Sequence, residues 1–306
     1  MSTALDRDPA LDDDALRPPP PILVPRSIDE ALQLLAKDGA VVLGGGVGHI
    51  LRRRGTARHD VSAFVSVRGL PELRAITWSD QGIRIGAGVR LSELEDEPRL
   101  AAAWPAFTAA AGSVATGRIR RMITLGGNVC ARDDSHDPPV ALAALGAELT
   151  VRSTGATRTL RIDQLTELRP DELVQDVRLP LPAGRCGSAF EKFLVRGVWE
   201  YACVNVAAVV GLGASGTAER LSLAVGSVED GPVSIDLSDL LGARADRDLV
   251  DEAARRTASA TRPYADVRGS AAYKTLMIAE FTRRALAGAI RRAQSADTES
   301  AEGDPR

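Results

Sequence analysis

The spacing of apolar positions changes period several times along this chain, and each change predicts an element. Ser27 with Glu30 three positions on reads as a helix start, so a helix is predicted over 28–37, ending at Gly39. A short buried strand over 41–43 then enters the glycine cluster Gly44-Gly45-Gly46-Val47-Gly48, and 50–55 reads as one or two helical turns with a glycine stop. From about Asp60 the signals become short strands at 64–67 and 83–87, the second flanked by Gly82 and Gly86. Helices are predicted at 91–95 and 98–112, and a further Ala/Leu-rich helix at 140–145. Residues 149–152 and 159–162 form a hairpin pair across Ser153-Thr154-Gly155, a strand follows at 173–179, and Pro180-Leu181-Pro182 marks a boundary. The last part predicts a small antiparallel sheet from 188–195, 204–213 and 221–225, then helices at 246–261 and 271–292. The fold class is α+β in three modest lobes. The organisation expected is an acidic, flexible arm over 1–21 ending in four prolines, lobes at 22–60 and 61–182, a third unit at 183–292 and a disordered polar tail over 293–306.

Composition narrows the function classes. At 306 residues the chain can bury a real core. Its formal net charge of −3 leaves no electrostatic footprint for nucleic acid. Of 38 basic residues only Lys37, Lys192 and Lys274 are lysines, so 38 − 3 = 35 are arginines, a bias read as genomic rather than functional. Cys130, Cys186 and Cys203 have no Cys-x-x-Cys spacing, which fits reduced thiols and excludes an iron–sulfur or structural zinc site held unaided. Acids stand where a signal peptide needs a basic region, and the longest apolar run, about 204–212, is too short to span a bilayer. A cytoplasmic location is expected.

The candidate chemistry lies in 124–137, Thr-Leu-Gly-Gly-Asn-Val-Cys-Ala-Arg-Asp-Asp-Ser-His-Asp. Gly126 and Gly127 allow a backbone turn through φ > 0 and close approach of N–H groups to a ligand. Thr124 and Asn128 add side-chain hydrogen bonds, and Asp137, an acceptor, suits the hydroxyls of a ribose. With the upstream Gly44–Gly48 cluster, two such loops suggest a cradle for a nucleotide diphosphate. The upstream loop is not a Rossmann fingerprint, because the G-x-G-x-x-G frame would end on His49 or Leu51, and it lacks the Gly-Lys-Ser/Thr of a P-loop. By itself it is more often a tight βα turn. Asp133, Asp134, His136 and Asp137 match neither an EF-hand nor a zincin helix and read as solvated loop acids rather than metal ligands. Arg118, Arg120 and Arg121 are a solvated basic face or a phosphate-pairing set, and Trp199 and Tyr201 are core or rim packing or a cover for a planar ring.

These residues assemble into a pattern that resembles the FAD-binding subunit of the xanthine dehydrogenase and carbon monoxide dehydrogenase family of molybdenum hydroxylases. It is carried by Thr124-Leu125-Gly126-Gly127-Asn128, nine residues on to Asp137-Pro138-Pro139, and the Ala/Leu helix ending at Ala147. Leu43-Gly44-Gly45, Ile83-Arg84-Ile85-Gly86-Ala87, Glu172-Leu173 to Pro180, Phe190-Glu191-Lys192-Phe193 to Tyr201-Ala202, and Asp266 to Lys274 match further landmarks in order and spacing over 22–292.

The resemblance implies a two-lobed FAD-binding domain of the molybdopterin-dehydrogenase (PCMH) type over 22–182, followed by a flavoprotein C-terminal domain with a small antiparallel sheet and helices. FAD is the implied cofactor, held through Leu43, Gly44, Gly45, Gly46, Val47, Gly48 and His49 on one side and Thr124, Gly126, Gly127 and Asn128 on the other. Asp137 would bond toward the adenosine ribose, and Tyr201 would lie near the isoalloxazine. Alanine at 137 would then weaken FAD retention and leave the fold intact. The implied partners are a small iron–sulfur subunit and a large molybdopterin subunit, with NAD, a quinone or oxygen as acceptor. No catalytic side chain and no metal site are expected in the chain itself, because a flavin carries such chemistry. The sequence departs from the family at Gly46-Val47-Gly48-His49, where a hydroxyl or amide is missing, at Met122-Ile123, and at Trp199, which replaces a common acid. A stand-alone FAD-dependent oxidoreductase and a flavin-less assembly subunit are the alternative functions.

Overall fold

In a computed structural model, residues 19–53, 61–197, 199–229 and 231–302 are described, and residues 1–18 of the arm expected over 1–21 lie outside them. Ser27 caps the helix Ile28–Leu35 by accepting from the Glu30 N–H at 3.1 Å. Its buried stripe Ile28, Ala31, Leu32 and Leu35 has helical spacing and packs on a parallel three-stranded sheet ordered Ile22–Leu23, Ala63–Ser66, Ala40–Leu43. This first lobe ends the strand Ala40–Leu43 at the glycine cluster.

The second lobe is a five-stranded antiparallel sheet in the order Ile76–Ser79, Gly82–Gly86, Leu173–Leu179, Glu148–Ser153, Ala156–Arg161. The helix predicted over 98–112 is two, Pro98–Ala103 and Pro105–Gly112. Pro105 has no N–H to continue the ladder and forces Trp104 out of helical backbone, to φ −136° and ψ 71°. The fully buried Trp104 ring donates its indole N–H to the Pro180 carbonyl at 2.7 Å. The helix Asp137–Leu145 runs into this core and stops at Gly146, whose φ of 73° suits a glycine cap.

The third lobe is an antiparallel sheet ordered Val233–Ile235, Ala218–Gly226, Val204–Leu212, Arg185–Phe193. Val204–Leu212 is buried along its whole length. Ala207 and Val209 join the core of the second lobe, while Val204, Val206, Ala208 and Val210 face the third. That two-sided burial explains why the segment reads as a continuous apolar run rather than an alternating one. The strands Ile76–Ser79 and Val233–Ile235 lack such signals and were not predicted.

The last helix, Ala271–Glu302, lies on Arg185–Phe193 and Val204–Leu212 through Ile278, Phe281, Ala285, Ala289 and Ala293. It approaches so closely that a Cβ on Gly187 would sit 2.2 Å from the Ala289 carbonyl oxygen. The sequence expectation of a disordered tail from 293 is corrected as far as Glu302. Residues 293–302 hold Ala, Gln and Glu with no glycine or proline, so nothing stops the helix before Gly303. Residues 303–306 lie outside the described residues. Among the described residues, no helix is long and apolar enough to cross a membrane.

Candidate functional site

The strand Ala40–Leu43 and the segment 122–128 bring the two glycine loops against each other. Gly45 packs on the opposing main chain: a Cβ there would lie 1.8 Å from the Met122 carbonyl oxygen, and one on Gly44 would lie 2.6 Å from Thr124 Oγ1. Gly46 turns through φ +80°, and the helix Val47–Arg53 begins at once, with the Ile50 N–H on the Gly46 carbonyl at 3.1 Å. The sequence placed that helix start at 50. Val47, Gly48 and His49 therefore form a first helical turn, not a loop. His49 Nε2 meets the Val42 carbonyl at 2.9 Å and its ring stands edge-on to Phe64, so the side chain is anchored to the sheet while one face lines the cavity.

The second loop also differs from expectation. Gly126 and Gly127 have no positive φ; they lie in a short helix, Leu125–Val129, capped by Thr124 Oγ1 accepting from the Gly127 N–H at 3.2 Å. What the glycines supply is space. A Cβ on Gly126 would reach within 2.7 Å of the Ala87 Cβ, and one on Gly127 within 2.8 Å of Thr124 Oγ1. The backbone is held by the Leu125 and Gly126 N–H groups donating to the Val89 and Ala87 carbonyls, both at 2.8 Å. Thr124 and the glycines thereby stand on the edge of the five-stranded sheet, facing the first lobe.

Between the lobes lies an open cavity of about 200 Å³. Gly44 to His49 form one wall and Thr124, Gly126, Gly127 and Asn128 the other. Leu43 is not on its surface. Asn128 is 2% exposed, and its Oδ1 has no hydrogen-bond partner among the described residues. An orphaned buried carbonyl is costly unless a ligand meets it, so this atom fits a group that donates into the cavity. Apolar side chains, Ile123, Leu168, Leu173 and Val174 among them, complete the far end, where Glu172 receives both arms of Arg158 at 2.8 Å. The Arg158 guanidinium holds the Glu172 carboxyl below the usual carboxylate range. Cys130 also lines the cavity, and burial pushes its thiol up to about 12, against the pull of Arg132. The thiol is thus protonated at neutral pH, and iodoacetamide should alkylate Cys130 far more slowly than a free thiol. Rapid labelling of Cys130 in the native chain, read by peptide mass spectrometry, would contradict that state.

Asp137 and Tyr201 are not on this cavity. They line a second one, of about 160 Å³, with Val114, Lys192, Trp199 and Glu200, and among the described residues only His136 borders both. Asp137 opens the helix Asp137–Leu145 at 2% exposure and is fully engaged within the chain. One carboxylate oxygen accepts from Lys192 Nζ at 2.6 Å and Ser113 Oγ at 2.9 Å, the other from Asn205 Nδ2 at 2.7 Å. The carboxylate is spent on holding Lys192, so the geometry leaves it poorly placed to reach a ribose. Asp133 and Asp134 are also not simply solvated. Asp133 accepts from Ser135, Asp134 accepts from the Tyr264 hydroxyl, and His136 Nδ1 meets the Asn128 carbonyl at 2.8 Å, which ties the 133–136 turn to the Asn128 wall of the cavity.

Lys192 enters the sequence analysis only as one of three lysines and within the Phe190-Glu191-Lys192-Phe193 landmark, with no partner assigned, and Ser113 and Asn205 are not singled out in it. A lysine inside the strand Arg185–Phe193, in a chain with only three lysines, was the available signal; its partners come from other elements and carried none. Trp199 is 73% exposed at φ +66°, a backbone conformation that is rare for a bulky residue.

Residues 17–182 match the model of the FAD binding domain in molybdopterin dehydrogenase, and residues 188–289 match the CO dehydrogenase flavoprotein C-terminal domain. The carbon monoxide dehydrogenase medium chain of Afipia carboxidovorans is 31% identical over 284 residues, covering 89% of this chain and 96% of that one. The 6-hydroxypseudooxynicotine dehydrogenase complex subunit alpha of Paenarthrobacter nicotinovorans is 30% identical over 285 residues, with 89% and 95% covered. Among solved structures, the carbon monoxide dehydrogenase of Hydrogenophaga pseudoflava that lacks the Mo-pyranopterin moiety superposes with a TM-score of 0.83 at 27% identity, covering 90% of this chain and 99% of that one.

Proposed function

The chain belongs to the family of FAD-binding subunits of molybdopterin dehydrogenases, and from that premise we propose that it is the electron-transfer flavoprotein of a heteromeric molybdenum hydroxylase. Its partners in this reading are an iron–sulfur small subunit and a molybdopterin large subunit, its acceptor is NAD, a quinone or oxygen, and its location is the cytoplasm. The observation that carries the reading is the pair of interlocked glycine loops walling one large cavity with an orphaned Asn128 carbonyl between them.

Bound FAD would supply the redox chemistry. The main chain at Gly44, Gly45 and Gly46, with the first N–H groups of Val47–Arg53, would meet the diphosphate, and the absence of side chains at Gly44 and Gly45 permits that approach. Thr124, Gly127 and Asn128 would face the cofactor from the opposite wall, Asn128 through its unused Oδ1. The apolar far wall at Leu168 to Val174 suits an adenine. The flavin end belongs toward the smaller cavity, where Tyr201 supplies an aromatic ring and Lys192, locked by Asp137, a fixed positive charge. Asp137 in this scheme positions Lys192 and does not bond the ribose.

The purified chain should show flavin absorbance or take up added FAD, and a colourless chain that binds none would refute the reading. Gly127→Val places a branched side chain at the exposed edge of the cavity and should remove most bound flavin while the fold persists; flavin content equal to the parent would contradict the close approach. Co-purification with iron–sulfur and molybdenum polypeptides separates an electron-transfer subunit from a flavoprotein that acts alone.

A further inference from the structure

We propose that a third cavity, on the far side of the contact between Gly45 and Met122, binds the phosphates of a small molecule other than the flavin. It measures about 120 Å³, and Arg68, Arg74, Arg90 and Arg121 all line it. The four come from separate places in the chain. Arg68 follows the strand Ala63–Ser66, Arg74 caps the turn Pro71–Leu73, Arg90 precedes the helix Leu91–Glu95, and Arg121 ends Gly117–Arg120. Tertiary folding alone gathers them.

Among the described residues, no Asp or Glu lines this cavity. That is a local inversion in a chain whose 41 acids outnumber its 38 bases, and a merely solvated face of such a chain would mix both signs. Among the described residues only Arg74 has an ion-pair partner, Glu93 at 3.0 Å; Arg68, Arg90 and Arg121 have none. Four guanidinium charges against one carboxylate leave an excess of 4 − 1 = 3 positive charges around one small space. Each guanidinium presents a planar fork of donors suited to phosphate oxygens.

The floor of the cavity favours an anion as well. Gly44 and Gly45 expose main chain without side chains. Thr124 Oγ1 accepts from the Gly127 N–H, which leaves its own O–H to donate. A Cβ on Gly88 would lie 2.9 Å from the Leu73 carbonyl oxygen, so that wall too stays bare. The Gly45–Met122 main-chain contact stands between this space and the larger cavity, although Gly44, Gly45, Val67 and Thr124 border both. In this proposal a ligand here is a second occupant, seated against the back of the loop that faces the cofactor.

The test is calorimetric titration of the full-length chain with inorganic pyrophosphate and, separately, with ADP, before and after loading with FAD. Both forms should bind pyrophosphate, more weakly as salt is raised. The double variant Arg68→Ala/Arg121→Ala should bind it at least tenfold more weakly with an unchanged melting temperature, and Arg118→Ala, an exposed arginine off the cavity, should bind as the parent does. Tighter binding of ADP than of pyrophosphate would identify the source as a nucleotide, and equal binding a phosphate alone. Absence of pyrophosphate binding at low salt, or equal binding by the double variant, would overturn the site. Loss of binding on FAD loading would overturn it differently, by assigning the arginines to the cofactor's own diphosphate. Failure of FAD to bind at all leaves the pyrophosphate result standing by itself, so the two readings fail separately.

Discussion

Asp137→Ala is expected to lower the stability of the chain by about 3–5 kcal/mol, because it strands a buried lysine. The side chains of Lys192 and Asp137 are only 10% and 3% exposed, and without the carboxylate the ammonium keeps just the Ser113 carbonyl at 3.1 Å, a neutral acceptor. The same substitution frees Ser113 Oγ and Asn205 Nδ2, both of which donate to the carboxylate. Each freed group adds its own desolvation cost. For a chain of this size the melting temperature should fall on the order of 10 °C. The comparison is made on the cofactor-free protein, so the drop is read independently of flavin. Asp137→Asn keeps an acceptor for Asn205 but removes the charge, and it should fall between the parent and alanine. An Asp137→Ala variant that melts with the parent would show that the network is not strained by the loss. This expectation replaces the one drawn from the motif alone, in which the residue served the cofactor and the fold was indifferent to it.

Gly45→Ala should abolish flavin uptake and destabilise the junction of the first two lobes. The new Cβ would meet Met122 O at 1.8 Å, Met122 C at 2.7 Å and Ile123 Cα at 3.1 Å, all main-chain atoms that cannot rotate away. Relief requires the 122–124 segment to move. That segment is pinned, since the Ile123 carbonyl accepts from the Leu91 N–H and Thr124 bridges Arg90. Moving it drags the Thr124 cap and with it the wall of the cavity. Gly69→Ala is the control. Nothing lies within 4 Å of its Cβ position, and it lines none of the three cavities. Flavin titration of the two variants separates a required glycine from a permissive one. Equal affinity for both would refute the interlocked-loop account.

The elements were legible where a single local rule governs them. Ser27 with Glu30 marks a helix start that the structure keeps, and the Leu173–Leu179 strand lies where its pattern put it. The α+β class and the FAD-binding, flavoprotein family also followed from the order of short motifs. Errors arose where one residue overrides a favourable pattern, as Pro105 does by splitting an alanine-rich helix, or where a polar segment has no stop signal, as at 293–302. In the site, the glycines were found but their purpose was not. Gly126 and Gly127 are helical, and their small size serves contacts with Ala87 and Thr124.

By itself, then, the sequence determined the local vocabulary: caps, strands, glycine clusters and the motif order that identifies the family. Tertiary structure alone decided which polar groups face one another. Asp137, Lys192, Ser113 and Asn205 span 113 to 205 in the chain yet share one buried charge, and Arg68, Arg74, Arg90 and Arg121 converge on one small cavity. The physical reason is that turn and helix signals act over a few residues, whereas the energy of a charge depends on its surroundings in space. Those surroundings exist only after the lobes have packed.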